Sequence, residues 1–154
     1  IYLLQAVLVW FVSLPVQAAE FGRGAPGPLV IPAVALWLLG FCFETVGDFQ
    51  LARFKADPAN RGRLMRYGLW SYTRHPNYFG DACVWWGLFL LCADQPAGWC
   101  TVLSPIVMTL LLTAGSGMRL AEQHMAATRP EYADYRARTS AFVPRPPRRP
   151  RRQQ

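Results

Sequence analysis

Four stretches of this chain are almost wholly apolar, and polar residues crowd into the gaps between them. Residues 1–19 carry no charge. Residues 29–47 end in the cluster Phe41-Cys42-Phe43-Glu44. Residues 78–93 are rich in Trp85, Trp86, Phe89 and Leu90, and residues 99–118 form a fourth run. About 20 mostly apolar residues cross a bilayer core as a helix, and backbone groups in lipid must bond within the chain, which helices do most simply. The helices of a soluble protein show polar faces at helical spacing, and these runs lack them. The pattern predicts an all-α fold: a multi-span transmembrane helix bundle with cytoplasmic loops. The four spans fall at about 1–19, 29–47, 78–93 and 99–118.

Composition supports that class. Only 16% of the 154 residues are charged and 53% are hydrophobic, against about a quarter charged in a soluble domain. A disordered chain, a coiled coil and a small disulfide-stapled domain are thereby excluded. Charge also segregates between the predicted sides. Of the 16 Lys and Arg residues, Arg23 alone lies in the connections 20–28 and 94–98, and the other fifteen lie in 48–77 and beyond 118. The excess of basic residues assigns 48–77 and the C-terminal tail to the cytoplasm, of a bacterial inner membrane or an endoplasmic reticulum alike. Because the chain opens with Ile1 inside an apolar run, it reads as the C-terminal part of a longer protein, and a cleaved signal peptide is disfavoured. The end, Arg145 to Gln154, reads RPPRRPRRQQ. It is expected to be a disordered basic tail drawn to anionic lipid. No aromatic residue is interleaved there for stacking, so nucleic acid is not the expected partner.

Cys42, Cys83, Cys92 and Cys100 form no CxxC pair and have no nearby His at metal-ligand spacing, so no metal site is expected. They read as packing residues, with Cys92 and Cys100 placed to pair only in an oxidising compartment. Chemistry is expected instead at the polar ends of the spans, where ionisable groups are costly and mark function. Glu44 and Asp48 share a helix face four residues apart, and Lys55 follows two turns along it. The trio is either part of a ligand site or an interfacial salt-bridge cluster that ends the span, and spacing alone leaves both open.

The densest polar segment is Gly68-Leu69-Trp70-Ser71-Tyr72-Thr73-Arg74-His75-Pro76-Asn77-Tyr78-Phe79-Gly80-Asp81. Pro76 suits the first turn of a helix and disfavours helix at His75. The free N–H groups of that turn favour an anion, and Arg74 is expected to clamp a phosphate oxygen. Asn77 and Asp81 project together from the same turn. This cluster points to a ligand site. After the fourth span, Arg119, Glu122 and His124 are placed to close the pocket, and 129–136 reads as an amphipathic surface helix with Tyr132 and Tyr135 facing membrane or pocket.

The segment GLWSYTRHPNYFGD at 68–81 resembles the signature of the steroid 5-alpha-reductase C-terminal superfamily, and more closely the uncharacterised bacterial-type membrane family beside it. ETVGDFQLARFKADPANRG at 44–62 and RPEYADYRARTSAFVP at 129–144 match the same pattern. The resemblance implies a reductase-like domain over 1–144 that uses NADPH to reduce a carbon–carbon double bond of a lipid or steroid-like substrate. It further implies that Glu44 and Asp48 hold the nicotinamide end, with Lys55 nearby for phosphate. Arg74, His75, Asn77, Tyr78 and Asp81 become cofactor contacts, and His124 a late one. The resemblance names no catalytic proton donor within this stretch; Tyr72 or Tyr78 is the local candidate. Two positions depart from the pattern. Asp81 stands where Glu is usual, and Glu44 where the animal enzymes have an amide, which argues against steroid itself. No GxGxxG fingerprint is present, so the helices must form the cage. Two other functions stay in play: an S-adenosylmethionine-dependent methyltransferase of the isoprenylcysteine carboxyl methyltransferase type, and a non-catalytic membrane protein on the same fold.

Overall fold

The computed structural model describes residues 2–21, 27–95, 98–115 and 117–148. Among these the chain is helical: α1 (Tyr2–Val12), α2 (Leu14–Phe21), α3 (Val30–Ala56), α4 (Pro76–Ala93), α5 (Leu103–Thr113), α6 (Gly117–Thr128) and α7 (Tyr132–Arg138). Single 3-10 turns occupy Pro58–Asn60, Gly68–Ser71 and Gly98–Val102.

Two runs are long and apolar enough to cross a membrane, Val30–Ala56 and Gly98–Thr128, and the bent pair α1–α2 makes a third if taken as one. α4 does not meet the same measure of length and apolar content. That helix has 18 residues, and Asn77 and Asp81 in its first two turns dilute its apolar content. It is the centre of the bundle, with α2, α3 and α5 packed around it. Beyond the fourth apolar run, α5 ends at Thr113 and α6 resumes the helix from Gly117 to Thr128.

The α3–α4 pair dominates the architecture, and small residues make it possible. Ala33, Gly40 and Gly47 recur every seven residues on α3 and are all buried, while Gly80 and Gly87 keep the same spacing on α4. The two helices run antiparallel. A Cβ on Gly80 would lie 2.4 Å from the Glu44 backbone nitrogen, and one on Gly87 would lie 3.0 Å from the Ala33 carbonyl. Only backbones without side chains approach this closely. At the far end of the pair, the Leu29 N–H donates to Asp94 Oδ2 at 3.1 Å.

The 49° bend between α1 and α2 has a local cause. Pro15 cannot donate to the helix ladder, and the Val16 N–H turns to Ser13 O at 3.0 Å. Val12 O, freed from Val16, accepts the buried Ser104 hydroxyl of α5. Nearby, the Cys92 thiol of α4 reaches Pro15 O at 2.7 Å, and all four cysteines are free thiols. Large apolar side chains stay exposed along α1 and α3, among them Leu3, Trp10, Ile31 and Phe41, as a lipid-facing surface requires.

The chain between α3 and α4 folds back over their polar ends. Asp57 starts the first turn by accepting the Ala59 N–H at 2.9 Å. Gly68 adopts φ +59° while the Gln50 side chain presses against it, so a Cβ there has neither backbone freedom nor space. Trp70 then buries its ring and donates its indole N–H to Gly47 O at 3.0 Å. A small second core of Leu64, Tyr132, Tyr135 and Met125 joins this loop to α6 and α7.

The expected tail is fixed in its first residues. The Arg145 N–H bonds Tyr72 O and the Arg148 N–H bonds Arg138 O, both at 3.0 Å. Residues 149–154 of that tail lie outside the described residues.

Candidate functional site

The RHPN corner is built from the middle of the chain and both of its later helices. Pro76 begins α4 and His75 is its N-cap, as the sequence predicts. Arg74 and His75 are buried, Arg74 only 7% exposed and His75 3%. The Arg74 guanidinium donates from Nε (2.9 Å) and Nη2 (2.8 Å) to Glu122 Oε1 on α6. Its Nη1 reaches Arg136 O at 3.0 Å and Thr139 O at 2.9 Å, at the carboxyl end of α7. Cations belong at such a helix end.

These bonds engage the guanidinium that was expected to clamp a phosphate. Arg74 lines the cleft described below, but its hydrogen bonds hold α4, α6 and α7 together. His75 Nε2 sits 3.2 Å from the same Glu122 oxygen, and its ring stacks on Tyr78 at 5.4 Å. Burial holds the His75 imidazole below its ordinary pKa of 6.5; Arg74 pushes the same way, and Glu122 opposes both. Burial also raises the Tyr132 phenol to about 12, with Glu122 adding to the rise. The Tyr135 phenol is pushed up as well and donates to Trp70 O.

Above this corner lies a cleft of about 660 Å³, bounded by the end of α3, the 57–65 loop, the start of α4, and α6. Its lining includes the basic residues Lys55, Arg61, Arg63 and Arg129, the acidic Asp57, and the aromatic or apolar Phe54, Trp70, Met125 and Tyr135. A small-molecule site has this size and this mixture. Of the residues singled out from sequence, Lys55, Arg74, His75, Asn77, Tyr78 and His124 line it.

Glu44, Asp48 and Asp81 do not line the cleft; they follow the α3–α4 seam that leads away from it. The two regions meet at Asn77, whose Nδ2 donates to Asp48 Oδ1 at 3.0 Å while the residue lines the cleft. Tyr72 is 47% exposed and lies outside the cleft, so of the two tyrosines only Tyr78 stands in it. Arg53 lines a separate open groove with Phe49 and Tyr67, and Arg66 leans 3.9 Å from Glu131. Neither lines the cleft.

Some contributors were hidden in the sequence. Arg129 read as part of a surface helix, yet it faces the cleft. Tyr132 and Tyr135 are buried at the core of the corner. Thr73 drew no attention, yet it is wholly buried. Its signal was its position before Arg74 in a segment otherwise made of chemical groups.

The model of the family described as "Protein of unknown function (DUF1295)" matches residues 1–139, nearly the whole chain. The chain belongs to that family. This DUF1295 chain is also similar to the 3-oxo-5-alpha-steroid 4-dehydrogenase 1 of Rattus norvegicus, with 26% identity over 117 residues, or 76% of this chain. It spans about 42% of that relative's length. No solved structure matches it. The two matches are consistent with the steroid 5-alpha-reductase-like superfamily.

Proposed function

We propose that this chain is the cofactor-holding part of a membrane-embedded reductase that uses NADPH to reduce a carbon–carbon double bond of a lipid or steroid-like molecule. The observation that carries this reading is the basic cleft joined through Asn77 to an acidic seam. Lys55, Arg61, Arg63 and Arg129 supply the positive lining that a dinucleotide's phosphates need. Asp48 and Asn77 form a paired acceptor and donor at the edge of the same cleft, suited to a carboxamide, which both gives and takes hydrogen bonds. Residues 1–144 form the domain, with 48–77 and the C-terminal stretch on the cytoplasmic side.

When bound, the cofactor supplies the hydride, and the protein supplies orientation and a dry surround. Tyr78, stacked on His75 in the cleft, is the hydroxyl placed to deliver the matching proton to the second carbon. The exposed apolar flank of α3 offers a lipid substrate a route from the bilayer. The similarity to a dehydrogenase of steroids supports the reaction class and leaves the substrate to experiment.

Titrating the detergent-solubilised protein against NADPH, NADH and S-adenosylmethionine, read by thermal shift, tests the proposal. NADPH should bind at least tenfold tighter than NADH. Asn77→Ala and Asp48→Ala should lose that binding and remain folded. Equal affinity for the two dinucleotides would sink the phosphate argument, and preferential binding of S-adenosylmethionine would make the protein a methyltransferase.

A further inference from the structure

We propose that Thr73 is a positioning residue, whose hydroxyl fastens residues 139–145 across the RHPN corner and thereby sets the direction of Asn77 and Tyr78 into the cleft. The inference rests on the cleft being the NADPH site, but its geometry stands independently. Thr73 has no exposed surface. Its Oγ1 donates to Phe142 O at 2.8 Å, with Ala141 O at 3.3 Å, and accepts the His75 N–H at 3.3 Å. One hydroxyl thus joins the C-terminal segment to the residue that caps α4.

The surrounding bonds make a strap. Thr73 and Ser140 form a parallel β-bridge, the sole one among the described residues. The Arg74 N–H bonds Ser140 O at 2.9 Å, and the Arg145 N–H bonds Tyr72 O at 3.0 Å. The Phe142 ring packs edge-on against Phe79 at 5.8 Å, one residue beyond Tyr78. α4 therefore starts where the strap holds it, and the cleft residues of its first turn inherit that placement. A buried hydroxyl that gives its one proton to Phe142 O and accepts the His75 N–H is costly to replace by a methyl, since both groups lose their partner.

The test compares Thr73→Val, which keeps the shape and removes the hydroxyl, with Thr73→Ser, which keeps the hydroxyl. A second variant, Arg145→Pro, removes the N–H that bonds Tyr72 without altering the cleft lining. Three readouts are taken in detergent: NADPH affinity, melting temperature, and amide hydrogen exchange of 139–145 and 74–79. Thr73→Val and Arg145→Pro are expected to weaken NADPH binding at least tenfold and to speed exchange in both segments, while Thr73→Ser restores both. Wild-type affinity in Thr73→Val overturns the proposal and leaves the cofactor reading intact. If the wild-type protein binds no NADPH, the cofactor reading fails, and exchange alone decides: unchanged rates at 74–79 in Thr73→Val also refute the strap. Should Thr73→Val fail to fold, Arg145→Pro carries the same comparison.

Discussion

Replacing Gly80 by Ala should be among the most damaging single-methyl additions this protein can suffer. The added Cβ would stand 2.4 Å from the Glu44 backbone nitrogen and 2.6 Å from the Gly40 carbonyl oxygen. Ordinary contact needs about 3.5 Å, and neither neighbour can rotate away because both belong to the α3 backbone. The helices must part by about 1 Å. One hydrogen bond crosses the same seam, Asn77 to Asp48 at 3.0 Å, and it would stretch out of range. Overpacking costs roughly 1–3 kcal/mol and a lost hydrogen bond about 1 kcal/mol, so about 3 kcal/mol is expected in total. In a chain of this size that lowers the melting temperature by about 6–12 °C. A glycine series gives the control. Gly40→Ala meets Gly80 O at 2.5 Å and should match Gly80→Ala; Gly87→Ala, at 2.9 Å from Trp37, should cost less. Gly47→Ala, at 3.3 Å from the Asn77 nitrogen, should cost least. Thermal unfolding in detergent ranks the four. If Gly47→Ala proves as harmful as Gly80→Ala, backbone proximity does not govern this packing and the argument is wrong.

The helical class and the location of the site were legible because both depend on local signals: long apolar runs, and a polar segment packed with donors and charges. Pairing was not. Nothing in the spacing of Arg74 showed that its guanidinium would be occupied by Glu122 and two carbonyls far along the chain. A free clamp and a buried tie have the same local sequence. The seven-residue spacing of Gly40, Gly47, Gly80 and Gly87 was visible, but its meaning appears only when the two helices face each other. Hydropathy measures affinity for lipid, so it did not show that α4 stands at the centre of the bundle with α2, α3 and α5 packed around it. Asn77 and Asp48 were singled out separately, and their hydrogen bond follows from the α3–α4 crossing.

Two further outcomes test the corner itself. Glu122→Ala leaves Arg74 and His75 buried without their acid and should destabilise the protein by about 3 kcal/mol, read as a fall in melting temperature with little change in helical signal. His75 should give stability a pH dependence: its folded pKa lies below the unfolded 6.5, so the unfolded state binds more protons as the solution is acidified. Its contribution is fully present above pH 6.5 and is lost as pH falls through the folded value; His75→Gln should flatten this part of the melting-temperature profile, and an unaltered profile would remove His75 as its cause.

The distribution of charge limits what the cleft and seam can hold together. A ligand bearing only phosphates would gain from Lys55, Arg61, Arg63 and Arg129 but would be repelled along the seam by Glu44, Asp48 and Asp81. One that only donates hydrogen bonds would suit the seam and leave Lys55, Arg61, Arg63 and Arg129 with Asp57 as the one acid lining the cleft. The two regions are satisfied at once by an extended molecule with anionic groups at one end and an amide or hydroxyl-rich group at the other. Asn77 marks the changeover, because its side chain already serves the seam from within the cleft. That polarity supports the dinucleotide proposed for this cleft.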